Sequence, residues 1–217
     1  MKPKIIYCYD AYCGWCYGFS DVIKKLWGKH KENIDFETLS GGMIPIESTQ
    51  HIGSIAHYIK DAYKTVENAS GVKFGKDYLW HINHPEESDW YPNSEMAAIA
   101  MAVFRDLHPE LTVPFASDLQ HALHYEGRDL TDKEAYRHLV ERYQLDEEDF
   151  FKKLVSEEYK EKAYYDFTLT KQLRVNGFPT VFLQLEENKL YMIARGFSDF
   201  DSVENRINNI FAENNIQ

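Results

Sequence analysis

The sequence predicts an α/β fold with strands at its two ends and helices in its middle. Three observations carry this. Short runs rich in β-branched and aromatic residues stand near both ends of the chain, at 4–9 and at 180–185. Between a second such run at 33–39 and the later ones, helical signals dominate from 46 to 173. Amphipathic helical spacing follows the first strand and ends the chain. The order is strand–helix–strand, a helical block, then strand–strand–helix, without internal repeat or low-complexity tract.

Each element has its own local reason. Lys4-Ile5-Ile6-Tyr7-Cys8-Tyr9 reads as a buried strand, and Asp10-Ala11-Tyr12 breaks it. Phe19, Val22, Ile23, Leu26 and Trp27 then recur at helical spacing, with lysines between them. Residues 33–39 alternate partly and form the second strand, and Ser40-Gly41-Gly42 turns out of it without the spacing of a phosphate loop. In the middle, Ser94 precedes a helix that is apolar almost all round. Pro114 suits the first turn of the next. Thr131 and Glu134 are spaced as a capping box, Asp146 as a cap, and Ser156 as the start of a further helix. The stretch 71–93 reads as a long connection. Strands return at 180–185 and 189–194 around a turn at Glu186-Glu187-Asn188. The last helix places Phe200, Val203, Ile207, Ile210 and Phe211 on one face.

Composition narrows the class. The 217 residues suit one domain with an insertion, or two small ones, and 44% hydrophobic residues supply a substantial core. A net charge of −11 argues against a nucleic-acid surface, which needs clustered Lys and Arg. Met1-Lys2-Pro3-Lys4 runs directly into the first strand, and no apolar run is long enough to cross a bilayer. The expectation is therefore a cytoplasmic protein with no membrane partner. In that compartment a close cysteine pair is catalytic or metal-binding rather than a structural disulfide.

The chemistry concentrates at Cys13-Gly14-Trp15-Cys16. The pair stands where a strand ends and a helix begins. Unpaired N–H groups and the positive end of a helix dipole stabilise a thiolate there, and the thiolate is the attacking species in disulfide exchange. The thiol one turn on can hydrogen-bond the first sulfur or close on it. This makes Cys13 the attacking thiolate and Cys16 the buried resolving thiol. Zinc is the competing reading of a CxxC, but no second CxxC or Cys/His knuckle completes four ligands, so no metal is assigned.

The element order, with CxxC after the first strand and Gly177-Phe178-Pro179-Thr180 before the third, resembles the thioredoxin fold. The helical block resembles the insertion of the DsbA-like thiol–disulfide oxidoreductases. The run from Tyr9 to Phe19 is similar to their FrnE-like branch. The resemblance implies a thioredoxin-like domain at 1–45 and 174–217 around a mostly α-helical insertion at 46–173. It matches Cys13 to the nucleophile, Cys16 to the resolving cysteine, and Pro179 to a cis proline facing the dithiol. Phe178 matches the position whose backbone pairs with an extended substrate strand. Trp15 faces the substrate side. It stands where strongly oxidising periplasmic members carry a histidine, so a less oxidising couple is expected here. The partners implied are protein or peptide disulfides, and a dithiol or glutathione that recycles the pair. No cofactor is implied.

Other readings stand beside this one. Relatives of the same architecture, the kappa-type glutathione transferases and the hydroxychromene-carboxylate isomerases, typically carry serine where this chain has Cys13. A zinc-binding or chaperone-like module is the non-enzymatic alternative. Cys8 reads as a small buried strand residue. Asp10 reads as a proton acceptor near the dithiol or as an Asx-turn residue. His121 and His124 read as scattered surface histidines, and Asn68-Ala69-Ser70 as a sequon without consequence.

Overall fold

The computed structural model describes residues 2–216. Met1 and Gln217, the outermost residues of the expected thioredoxin-like segments, lie outside the described residues. Four strands form one mixed sheet: β1 (Lys4–Tyr9), β2 (Asp35–Ser40), β3 (Thr180–Glu186) and β4 (Lys189–Arg195), in the order β2-β1-β3-β4. β1 runs parallel to β2 and antiparallel to β3, and β4 is antiparallel to β3. β1, nearest the chain start, is therefore held on both sides, with Tyr7 opposite Thr38 and Val181.

Alternation along β1 sorts its side chains between two cores. Ile5, Tyr7 and Tyr9 join α1 (Gly14–His30) in the larger one, with Phe19, Ile23 and Leu26. Ile6 and Cys8 point the other way, into a smaller cluster with Leu39 and Phe182. α9 (Phe200–Glu213) joins the α1 face through Val203 and Ile207, and α8 (Glu157–Gln172) covers the other through Leu169.

Between β2 and β3 the chain forms α2 (Gly53–Ser70), α3 (Lys76–Asn83), α4 (Glu95–Leu107), α5 (Thr112–His124), α6 (Arg137–Arg142) and α7 (Glu147–Leu154), then α8. Most expected signals act where they stand. Pro114 sits in the first turn of α5, the Asp146 carboxylate accepts from Asp149 N at 2.8 Å, and the Ser156 hydroxyl accepts from Tyr159 N.

Four local expectations are corrected. The second strand begins at Asp35 rather than at 33, because the amides of Asn33 and Ile34 still bond the His30 carbonyl and prolong the helix end. The connection 71–93 contains α3, whose Tyr78 and Ile82 are one turn apart and buried. Eight residues of mixed aromatic and polar character carry too little periodicity to announce a helix. The capping box is absent: Thr131 gives its hydroxyl to Asp129 at 2.7 Å, and Asp132 caps a short 3-10 turn by accepting from Glu134 N at 3.0 Å. Finally, Glu186 pairs with Lys189, which tightens the last hairpin turn to Glu187 and Asn188.

Candidate active site

Cys13 is the N-cap of α1. Its backbone is extended (φ −80°, ψ 109°), and its Sγ accepts the Cys16 amide at 3.4 Å. A sulfur thus fills the place usually taken by a capping oxygen, at the end of the helix where four amides lack partners. Both cysteines are free thiols. They are not equivalent: Cys13 keeps 7% of its surface exposed, and Cys16 none. Burial pushes the Cys16 thiol well above its ordinary value, and the adjacent Cys13 sulfur adds to the effect.

The Phe178–Pro179 peptide is cis, and the Cys13 thiol donates to the Phe178 carbonyl at 3.4 Å. The two motifs, 165 positions apart, therefore meet. The far end of the Phe178 ring closes on Gly41 at the exit of β2. A Cβ at Gly41 would fall 2.1 Å from that ring, so any larger residue there would have to displace it. Trp15 is half-buried and packs on Phe197 with ring centroids 6.3 Å apart.

The loop leading into Cys13 is held from below. The Asp10 carboxylate is 2% exposed and accepts from Tyr12 N at 3.0 Å, Met43 N at 2.8 Å and the Ser94 hydroxyl at 3.1 Å. Burial raises its pKa, and these donors offset part of the rise. Of the two readings of Asp10, the Asx-turn contact is the one made; its oxygens are spent on donors from three segments. The Asp10 carbonyl accepts Cys13 N at 3.1 Å and the Gln120 amide at 3.3 Å, and the Ser20 hydroxyl donates to Gln120 at 2.8 Å.

Tyr7 stands under Cys16 on the same face of the sheet. Its buried hydroxyl lies beside the Cys16 thiol, and burial together with the neighbouring Cys16 and Cys13 sulfurs keeps it a neutral phenol. Cys8 is fully buried on the opposite face, and burial raises its thiol to about 12, with Asp166 and Glu37 adding to this. The sheet itself separates Cys8 from the dithiol.

The surface reading of His124 is corrected. His124 is 1% exposed, stacked on Tyr17 at 5.1 Å and edge-on to Phe74 and Tyr78. The α1, α3 and α5 faces close over it, which its own helix could not reveal. His121 remains outside, beside Glu126. Among the described residues, the one group of three side chains spaced to share a metal ion is His84, Glu86 and Glu87, which includes neither cysteine.

Cys13, Gly14 and Trp15 also form one wall of a cavity of about 350 Å³. Its far wall is α2, with Ile55, Ile59, Ala62 and Val66, and Phe74 and Trp90 close it further in. α2 comes this near because α1 has Gly18, where a Cβ would lie 2.8 Å from Val66. Sequence reading missed this wall and the Tyr7, Ser94 and Gln120 supports. The apolar stripe of α2 was the available signal, but it reads equally as core.

The model of the DSBA-like thioredoxin domain family matches residues 4–208. No curated protein matches the chain. Among solved structures, a putative protein disulfide isomerase from Nitrosomonas europaea superposes with a TM-score of 0.84 at 19% identity, covering 98% of this chain and 99% of that one. The cytosolic disulfide reductase DsbM from Pseudomonas aeruginosa gives 0.79 at 22% identity, covering 96% and 98%. The same reductase with GSH gives 0.77 at 21%, covering 96% and 99%. A 2-hydroxychromene-2-carboxylate isomerase gives 0.68 at 13%, covering 97% of each chain. At these identities the likeness is one of fold.

Proposed function

The chain belongs to the DSBA-like thioredoxin domain family, and on that premise we propose that it is a thiol–disulfide oxidoreductase acting through Cys13 and Cys16. The observation that carries this reading is the asymmetry of the pair: Cys13 caps a helix at the cavity wall, and Cys16 is sealed one turn below it. In the reducing direction, the Cys13 thiolate attacks a substrate disulfide and one substrate thiolate leaves. Cys16 then gives up its proton and attacks the Cys13 sulfur. The second substrate thiol departs, and Cys13 and Cys16 remain joined. Phe178 and Pro179 present the backbone against which the substrate lies, and Trp15 offers it an apolar contact. Isomerisation stops at the mixed disulfide and lets a substrate thiol resolve it. In this reading 46–173 is the insertion domain, the protein is cytoplasmic, and a dithiol or glutathione recycles the pair. Among the described residues no helix is long and apolar enough to cross a membrane.

Cys13→Ser is expected to abolish disulfide reduction, and Cys16→Ser to accumulate a mixed disulfide visible by mass spectrometry. Full activity in Cys13→Ser refutes the assignment. Trp15 brings no positive charge to the thiolate, so the couple should be more reducing than the strongest oxidants of this chemistry. A measured potential near about −120 mV contradicts that. The glutathione-transferase or isomerase reading draws on the shared fold alone. Glutathione-dependent turnover that survives Cys16→Ser would establish it.

A further inference from the structure

We propose that the cavity beside Cys13 receives an uncharged aromatic or branched aliphatic arm on the sulfur that Cys13 attacks, making the preferred substrate a low-molecular-weight disulfide with such an arm. This rests on the exchange reading above and specifies its substrate.

Three observations point to that occupant. First, the cavity's walls contain no Lys, Arg, His, Asp or Glu: apart from the Cys13 thiol, the wall side chains are hydrocarbon, thioether, indole or phenol. The shallower cleft on the other side of Trp15 and Tyr58 adds only His57, Asp61 and Thr65 around the shared Ala62. That cleft adds one carboxylate, Asp61, and the whole chain carries −11. A carboxylate-bearing arm such as glutathione finds no Lys or Arg in either place, and burying it unpaired in the cavity is costly. Second, the size fits. About 350 Å³ lies at the lower end of small-molecule sites, which run from about 300 to 1,000 Å³. A polypeptide would bring an N–H and a C=O with every residue into walls that offer few partners for them. Third, the mouth is already apolar and solvent-facing. Met43, Ile55 and Tyr58 are 41%, 38% and 66% exposed, a lip over which a hydrocarbon can slide.

The chemistry balances without a further reactant. The Cys13 thiolate bonds to the sulfur carrying the buried arm, and the distal sulfur leaves as a thiolate that takes a proton from water. Cys16, losing its proton, bonds to Cys13, and the arm's sulfur departs and is protonated. Two electrons pass from the dithiol to the substrate, giving two small thiols and one Cys13–Cys16 disulfide.

The test is a single-turnover oxidation of the pre-reduced full chain. The probes are benzyl 2-hydroxyethyl disulfide, bis(2-hydroxyethyl) disulfide and glutathione disulfide. Each rate constant is divided by that of dithiothreitol with the same probe, which removes intrinsic reactivity. Burial of one ring predicts a normalised preference of roughly 10- to 100-fold for the benzyl compound over bis(2-hydroxyethyl) disulfide. Glutathione disulfide should come last. Ala62→Leu, which fills the cavity from α2, should bring the benzyl-to-hydroxyethyl ratio down toward one. Ile55→Arg, which puts a cation on the lip, should raise the glutathione-to-hydroxyethyl ratio. Equal normalised rates in the unsubstituted protein overturn the proposal, as does a benzyl ratio that Ala62→Leu leaves unchanged. So does a preference that appears only with a Phe-Cys peptide disulfide. Cys13→Ser separates the two levels. Thiol oxidation that persists in it removes the exchange reading, whereas Cys13-dependent oxidation without preference removes the subsite alone.

Discussion

At the scale of single residues, the site depends on groups that burial has driven out of their usual states. His124 makes the point most sharply. Burial pushes its imidazole from 6.5 down to about 3. Between those values the unfolded chain takes up a proton that the folded chain refuses. The stability tied to a neutral His124 is therefore complete above 6.5 and is lost as the pH falls toward 3, at up to about 1.4 kcal/mol per pH unit. His124→Phe keeps an aromatic ring against Tyr17 and removes the proton site. Denaturant unfolding at pH 6.5 and 4.5 should show it losing about 2 kcal/mol less over that interval than the unsubstituted protein. An identical pH dependence in the two proteins contradicts the assignment. The cysteine pair follows the same logic of burial. Its spacing carries the proposed redox chemistry, with the resolving role expected of Cys16. The depth of Cys16 over Tyr7, and the sheet standing between it and Cys8, came only from the alternation of β1 once its neighbours were in place.

At the scale of elements, the legible ones were those with strong local signals. β1, α5, α7 and α8 begin within a residue or two of their expected starts, because caps, a proline and apolar periodicity all act within one or two turns. α3 was illegible. It is short, and the Gly75 amide before it is held by a distant carbonyl, that of His124 at 2.9 Å. The Thr131–Glu134 box failed for a related reason: Asp129, two residues upstream, takes both the Thr131 amide and its hydroxyl. Gly41 joins two elements across the sheet. It reads as an ordinary turn glycine, yet what it does is leave room for the ring of Phe178, the residue whose backbone carbonyl meets the Cys13 thiol.

At the scale of the whole molecule, the helical insertion is tied to the sheet by a buried ion pair. Arg105 on α4 makes two contacts with Asp166 on α8, at 2.9 and 3.1 Å, and donates to the Thr38 carbonyl of β2 at 3.0 Å. Asp166 also accepts Ser40 N. Two helices thereby grip the strand that ends at Ser40, just before Gly41. Arg105→Ala strands a carboxylate 1% exposed, so it should cost about 3–5 kcal/mol in urea unfolding, with Arg105→Ala/Asp166→Asn recovering part of the loss. A loss below about 1 kcal/mol would show that the pair is not what holds the layers together. The sequence by itself determined the order of most elements and the placement of the Cys13–Cys16 pair at a strand-to-helix junction, because each is written in residues within a turn or in a short motif; the meeting of that pair with Phe178–Pro179 was implied by the family resemblance and is made by the fold. The tertiary structure alone decided what surrounds that pair: the apolar wall of α2, the buried imidazole of His124, and the three-sided hold on Asp10. These arise where segments tens of residues apart pack together, and no local pattern records which surfaces will meet.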